Sequence, residues 1–377
     1  MSWSKLIPGL SQRIERAPLT DFAKISRLGI LRPDGMGDIV LTSGLLRELR
    51  RLLPRAHITM ICQSAWASWM RTCPWVDEVV GVRMSSHGIR EPQRIVELHS
   101  FIRRVWPLDL EVVIQPGTVY WYAPSRALAW FSGAPVRVCW EDPEYPVDTG
   151  GALHSHRFTY PRSQHETEKC FRMLGDMGLA CDGRKIDSWW TPADVANGDD
   201  ITRGARGGHQ RLVALGLASS EPAKRWPKER YLALIHRIAA EYDVAFLAIG
   251  GPDVRSSCEW LQERVPDLVS YPGMHLPLGV LWSAISHCDL YIGNDTGFMH
   301  MAAAARVPVV AVVGVAEAAE PGTRGNVLST GPYGVASRVA RPGITPPGAA
   351  PDATLVPVDV VVSAALEMLR EPVSPLT

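Results

Sequence analysis

From Ile25 onward the chain alternates short apolar runs with stretches of helical period, and it does so in two separate series. In the first, Ile25 to Leu31 reads as a strand. The loop Arg32-Pro33-Asp34-Gly35-Met36-Gly37-Asp38 follows, and then a helix from about Ile39 to Leu53 that Pro54 stops. Ile58 to Cys62 supplies the next strand, and this β-α-β order implies a parallel sheet. Further strands are expected at Glu78 to Val82, Leu110 to Gln115 and Val136 to Trp140, and a helix at His165 to Leu179.

The second series begins at Leu212. It predicts strands at 212–217, 244–249, 288–292 and 308–313, with helices at 228–241, 254–264, 277–286 and 297–305, and a last helix at Val358 to Arg370. Between the two series, Asp182 to Gly208 is rich in Gly, Asp and Pro and reads as a linker. The expected organisation is an α/β chain of two Rossmann-like domains, 1–185 and 209–377, joined by a linker at 186–208. Such a pair would enclose a cleft at the carboxyl edges of its sheets, where open α/β folds place ligands.

At 377 residues the chain is comfortable for two such domains. Lys plus Arg equals Asp plus Glu at 39 each, so no overall field favours nucleic acid or an anionic membrane. The seven cysteines form no C-x-x-C pair, which argues against a disulfide framework or a zinc site and for a reducing cytosol. Lys5, Arg13, Glu15 and Arg16 interrupt the apolar residues of Met1 to Ala23, which gives neither a signal-peptide core nor a spanning helix. The expected location is the cytoplasm, with contact to a membrane at most peripheral.

Residues 293–305, starting Gly293-Asn294-Asp295-Thr296-Gly297, follow one apolar run and precede another, so they read as strand, tight polar turn and helix. The first N–H groups of such a helix point outward with partial positive charge, and an anion is welcome there. Asp295 and Thr296 suit the cap, Gly297 lets a ligand approach the backbone, and His300 follows one turn later, either satisfied by a neighbour or touching the ligand. Lys224 stands before the 228–241 helix, with Ser219 and Ser220 just after a strand. Its bland reading is a solvated charge; the functional one is a clamp on a departing diphosphate.

Asp38 closes the loop Gly35-Met36-Gly37 and has two readings, a helix cap or a carboxylate base. Arg47, Arg51 and Arg55 read as a solvated helix face. No Asp-x-Asp of the kind that grips a metal-bound nucleotide sugar is present, and no cluster has metal-ligand spacing. The loop at 35–38 is not Gly-x-Gly-x-x-Gly, and no Tyr-x-x-x-Lys accompanies it, which disfavours a sugar-nucleotide epimerase.

The chain resembles the heptosyltransferases of glycosyltransferase family 9, which transfer heptose from ADP-heptose to lipopolysaccharide core. The likeness rests on Ile30-Leu31-Arg32 through Gly37-Asp38-Ile39-Val40-Leu41-Thr42 with Leu45, Leu49 and Arg50. It continues through His165 to Leu179, Pro222-Ala223-Lys224-Arg225-Trp226-Pro227, and Asn294-Asp295-Thr296-Gly297 with His300, Ala302 and Ala303. Gly44 departs from the usual proline, and Val315-Ala316-Glu317 from the usual Pro-Thr-Asp.

The resemblance implies a GT-B fold, with the acceptor on the N-terminal domain and the nucleotide sugar on the C-terminal one. It implies a metal-independent inverting transfer with no cofactor beyond the nucleotide-sugar co-substrate. Asp38 would be general base on the acceptor hydroxyl, beside the acceptor-side loop Gly35, Met36 and Gly37. Ser219, Ser220, Lys224, Asn294, Asp295, Thr296, Gly297 and His300 would hold the donor. The acceptor is a lipopolysaccharide-type glycolipid or a small natural-product intermediate. A non-catalytic nucleotide-sugar-binding protein on the same scaffold is the competing expectation, against which Asp38 argues, since a binder needs no base there.

Overall fold

The protein is described by a computed structural model over residues 22–83, 93–117, 123–142, 153–219, 221–273, 275–317, 327–346 and 349–370. It divides into two compact units, Met1–Arg184 and Lys185–Thr377. Among the described residues no helix is long and apolar enough to cross a membrane. All seven cysteines are free thiols.

The first unit is built on β1 (Arg27–Arg32), β2 (His57–Gln63), β3 (Glu78–Val82), β4 (Val112–Gln115), β5 (Val136–Glu141) and β6 (His156–Thr159). They form one parallel sheet in the order β3-β2-β1-β4-β5-β6. Its middle strands are buried on both faces, as β1 is from Leu28 to Arg32, so they read as continuous apolar runs instead of alternating ones. Beta6 was not expected: its sequence His-Arg-Phe-Thr carries a single large apolar residue, and burial alternates along this edge strand.

The second unit repeats the plan with β7 (Arg211–Gly216), β8 (Val244–Ile249), β9 (Val269–Ser270), β10 (Leu290–Asn294), β11 (Val309–Val312) and β12 (Ser337–Ala340). The sheet order is β12-β11-β10-β7-β8-β9. Counted from the first strand of each unit, both sheets read 3-2-1-4-5-6, the Rossmann order. The chain's progress reverses between β1 and β4 and again between β7 and β10, and a doubly wound sheet opens a crevice at the carboxyl ends of two such strands.

Helices cover the sheets through one apolar face each. The Lys228–Ala239 helix buries Tyr231, Leu234, Ile235 and Ile238, spaced three, one and three apart. Each such side chain contributes about 1.5–3 kcal/mol in transfer from water.

The stretch expected as a linker is helical instead. Pro192–Arg206 is a helix of 15 residues, and it belongs to the second unit. Thr191 caps it, its hydroxyl accepting from Asp194 N–H (3.1 Å) while Asp194 Oδ2 accepts from Thr191 N–H (2.8 Å). Pro192 occupies the first helical turn, where its missing N–H costs nothing. Gly198 and Gly279 allow close packing against the Leu278–Ser286 helix: a Cβ on Gly198 would lie 2.7 Å from Ser283 Oγ, and one on Gly279 2.5 Å from Asp194 Oδ2. Trp189 adds an edge-on contact with Trp282 at 4.8 Å. The Gly, Asp and Pro of this stretch are packing and capping residues, not loop formers.

The arginines of the Ser43–Leu52 helix are not a plain solvated face. Arg47 Nη2 donates to the Gly183 carbonyl (2.7 Å) and Arg51 Nη2 to the Ala180 carbonyl (2.8 Å). Both pair with Glu48, which is buried. Burial pushes the Glu48 carboxyl up, but the Asp182 N–H and the two arginines outweigh it and hold it below its usual value. This network ties the end of the first unit to its own second helix.

Candidate active site

Three of the features that sequence singles out gather at the two strand-order reversals. In the first unit the loop after β1 leads into the Met36–Leu41 helix, which starts earlier than expected because Gly35 is its N-cap. Asp38 is therefore the third helical residue and not the cap itself. Its Oδ2 reaches back to accept from Gly35 N–H (3.1 Å), which fixes the carboxylate against the first turn. Its side chain remains 38% exposed. Gly37 is half-buried and Met36 is buried, so of this loop Asp38 offers the chemically competent group.

Behind Asp38 stands a charged cluster that the sequence does not single out. Arg32, the last residue of β1, is 1% exposed; its Nη1 lies 3.0 Å from Asp34 Oδ2, its Nη2 3.4 Å from Asp38 Oδ1, and its Nε 3.4 Å from the Asp38 carbonyl oxygen. Burial alone would lower the guanidinium, but the Asp34 and Asp38 carboxylates more than reverse it, so Arg32 stays charged. Burial pushes the Asp34 carboxyl up to about 7 against the pull of Arg32, and the charges of Asp38 and Glu166 add to the rise.

Glu166 and Lys169, on the Glu166–Asp176 helix, form a buried pair at 2.7 Å, and the Tyr160 hydroxyl donates to Glu166 Oε1 (3.0 Å). The one sequence signal for this cluster is a charged residue ending an apolar strand just before a glycine loop.

In the second unit, β7 and β10 lie in register at Gly216 and Gly293. Both glycines are required: a Cβ on Gly216 would overlap the Tyr291 hydroxyl, and one on Gly293 would sit 2.6 Å from the Gly216 carbonyl. The Tyr231 hydroxyl donates to that same carbonyl (2.9 Å). Burial drives the Tyr291 phenol up, against the pull of the nearby Thr296 hydroxyl.

Beyond these glycines, Lys224 comes from the loop after β7 and Asp295 from the turn after β10. Their side chains meet across the reversal, Nζ to Oδ2 at 3.5 Å. Thr296 is the N-cap of the Gly297–Ala304 helix, as its sequence position suggests, but its side chain makes no capping bond. Met299 N–H donates to the Thr296 carbonyl (3.0 Å), so it is the N–H groups of Gly297 and Phe298 at this helix start that are left for another partner.

Asn294 is fully buried, and its amide is spent within the protein. Its Oδ1 accepts from Trp226 N–H (3.0 Å), and its Nδ2 donates to the Leu217 carbonyl (2.8 Å) and to that of Ala218 (3.4 Å). This side chain welds the loop of Lys224 to the end of β10, a structural role that its expected place among the donor residues did not include.

Ser219 is buried and its Oγ accepts from Glu221 N–H (3.3 Å), which shapes the same loop. Arg225 braces the loop through the Ser219 carbonyl (3.0 Å) and Asp253 (3.0 Å). Gly297 opens the helix and His300 is buried within it. Ser220 lies outside the described residues. Among the described residues no group of three or more His, Cys, Asp or Glu side chains is placed to hold a metal ion.

The sequence profile of glycosyltransferase family 9 (heptosyltransferase) matches residues 123–324, more than half of the chain. The chain belongs to glycosyltransferase family 9. It is thus a glycosyltransferase, and the matched span contains Lys224 and the Asn294 to His300 segment, while Asp38 lies before it. A comparison with curated protein sequences gave no match.

Among solved structures, a family 9 glycosyltransferase from Veillonella parvula superposes with a TM-score of 0.72 at 20% identity, over 94% of this chain and 100% of that one. The E. coli ADP-heptose lipopolysaccharide heptosyltransferase II gives 0.66 at 17%, over 92% and 98%. The E. coli heptosyltransferase WaaC with ADP-2-deoxy-2-fluoro heptose gives 0.67 at 16%, over 90% and 99%. At these identities the likeness establishes a shared fold, a GT-B pair of Rossmann-like domains, for this family 9 member.

Proposed function

We propose that this family 9 enzyme transfers a heptose-type sugar from a nucleoside diphosphate donor, ADP-heptose foremost, to an acceptor hydroxyl, with inversion at the anomeric carbon and without a metal ion. The observation that carries the donor half is the Lys224–Asp295 contact beside an uncapped helix start at the second reversal. A leaving diphosphate gains charge as the glycosidic bond breaks, and an ammonium with outward N–H groups neutralises it in place. Asp295 holds the lysine in position until the phosphates arrive. Similarity to a heptosyltransferase solved with ADP-2-deoxy-2-fluoro heptose favours this donor.

The acceptor half rests on Asp38. Its carboxylate, partly exposed at the first reversal, takes the proton from the attacking hydroxyl as the new bond forms. A single in-line displacement of this kind inverts the centre. The N-terminal unit would thus receive the acceptor and the C-terminal one the nucleotide. The acceptor belongs to one of two classes, a lipopolysaccharide-type glycolipid or a small natural-product intermediate, and the reaction takes place in the cytoplasm.

A panel of nucleoside diphosphates and nucleotide sugars, read by thermal stabilisation, tests the donor. Ligands that bind only the folded state raise its melting point, by about 2.7 kcal/mol of stability at a hundredfold excess over Kd. ADP and ADP-heptose are expected to stabilise most; a preference for UDP or GDP sinks the assignment.

A further inference from the structure

The Arg32 guanidinium spends its polar contacts among the described residues on two aspartates. Nη1 goes to Asp34, while Nη2 and Nε go to the carboxylate and carbonyl of Asp38. The two oxygens of Asp38 are thereby held from different sides, Oδ1 by Arg32 and Oδ2 by the Gly35 N–H. A carboxylate held at both oxygens is restrained about its terminal torsion, and each oxygen keeps acceptor capacity for a further partner.

Gly117, just beyond β4 on the other side of the reversal, closes over the pair. A Cβ there would lie 2.5 Å from Arg32 Nη1 and 2.9 Å from Asp34 Oδ2. The ends of β1 and β4 are thus shaped around this guanidinium.

We propose that Arg32 is a positioning residue for the transfer: clamped from behind by Asp34 and roofed by Gly117, it aims the Asp38 carboxylate at the acceptor hydroxyl. The inference rests on Asp38 being the base. Planarity is what the role requires, because a forked guanidinium reaches two carboxylates at once, whereas an ammonium reaches them one at a time. A buried arginine that merely filled space would tolerate any variant that preserved the fold.

Two variants probe it by different routes. Arg32→Lys keeps the charge and loses the fork; Gly117→Ala keeps Arg32 and displaces it. Turnover is read as ADP release from ADP-heptose, with water as acceptor where no sugar acceptor is supplied, and folding is read by melting temperature. Each variant that remains folded is expected to lose about 10- to 100-fold in kcat with the donor KM within about twofold, the signature of lost alignment and not of lost binding.

Unchanged kcat in either folded variant, or a raised KM at constant kcat, overturns the inference. Asp38→Asn serves as the separate control: if it retains turnover, the base assignment itself fails, whereas an inactive Asp38→Asn beside a fully active Arg32→Lys rejects only the positioning role. Crystal structures of Arg32→Lys and Gly117→Ala provide a reading free of substrate, and an Asp38 carboxylate that keeps its wild-type orientation in both would overturn the inference as well.

Discussion

Lys224 Nζ lies 3.5 Å from Asp295 Oδ2, and each side chain is less than a fifth exposed. The two come from loops after β7 and β10, so the contact bridges the strand-order reversal of the second sheet. As a partly exposed pair it adds little to stability, typically under about 1 kcal/mol. In the proposed donor site it holds an ammonium beside the start of the Gly297–Ala304 helix.

Lys224→Met should therefore leave the melting temperature nearly unchanged while weakening ADP binding about 10- to 100-fold, or about 1.4–2.8 kcal/mol. Titration calorimetry with ADP measures this. Undiminished affinity would remove Lys224 from the donor site.

Asp38→Asn preserves the shape of the side chain and removes its basicity. A base of this kind contributes about 10²–10⁴-fold, so kcat should fall within that range while ADP binds as before. The variant protein is best assayed for both properties in one preparation. A loss of ADP affinity equal to the loss of rate would mean that Asp38 supports binding and not proton transfer.

Much of this fold is written in the order of apolar runs, because parallel strands buried on both faces are continuous and their crossover helices amphipathic. The reversals that create the site were not legible, since sheet order depends on which strands pair, and that is settled by packing across the whole unit. The Met36–Leu41 helix begins before its predicted start because Gly35 and Gly37 look like breakers, while Gly35 serves as an N-cap. Pro192–Arg206 was read as linker for a similar reason, its glycine contacts and capping residues being indistinguishable by composition from loop formers.

From sequence the polar turn at 293–300 reads as an anion site with Asn294 among its ligand contacts, and the internal role of that side chain is invisible there. Nothing local in a sequence tells that an amide is consumed by Trp226, Leu217 and Ala218. Arg32 reads as a loop residue for the complementary reason: a buried charge declares itself only when its counter-charges are located.

Asn294→Ala tests the welding role directly. It would leave the Trp226 N–H and two carbonyls without their partner in a fully buried site, a loss on the order of 2–4 kcal/mol. Chemical denaturation should register it as a lower midpoint with an unchanged slope. A variant as stable as the wild type, but impaired in ADP binding, would return Asn294 to the list of ligand contacts.

Asp34 makes stability depend on pH in an uncommon direction. Burial lifts its carboxyl from an ordinary value of 3.8 to about 7, because desolvation outweighs the attraction of Arg32, with Asp38 and Glu166 adding repulsion. Between those two values the folded protein holds a proton that the unfolded chain has released. The slope of unfolding free energy with pH follows the protons bound unfolded minus folded, which is negative here. The contribution of Asp34 is thus fully present below about pH 4 and is lost progressively as pH rises toward 7. Asp34→Asn mimics the neutral acid at every pH and lacks this dependence. Relative to the wild type, the variant should gain steadily between about pH 4 and 7, by up to a few kcal/mol, and the difference between the two should stay constant above that. Urea midpoints for both proteins across this range provide the measurement, and a difference that stays flat from pH 5 to 8 would show that Asp34 remains ionised in the folded protein.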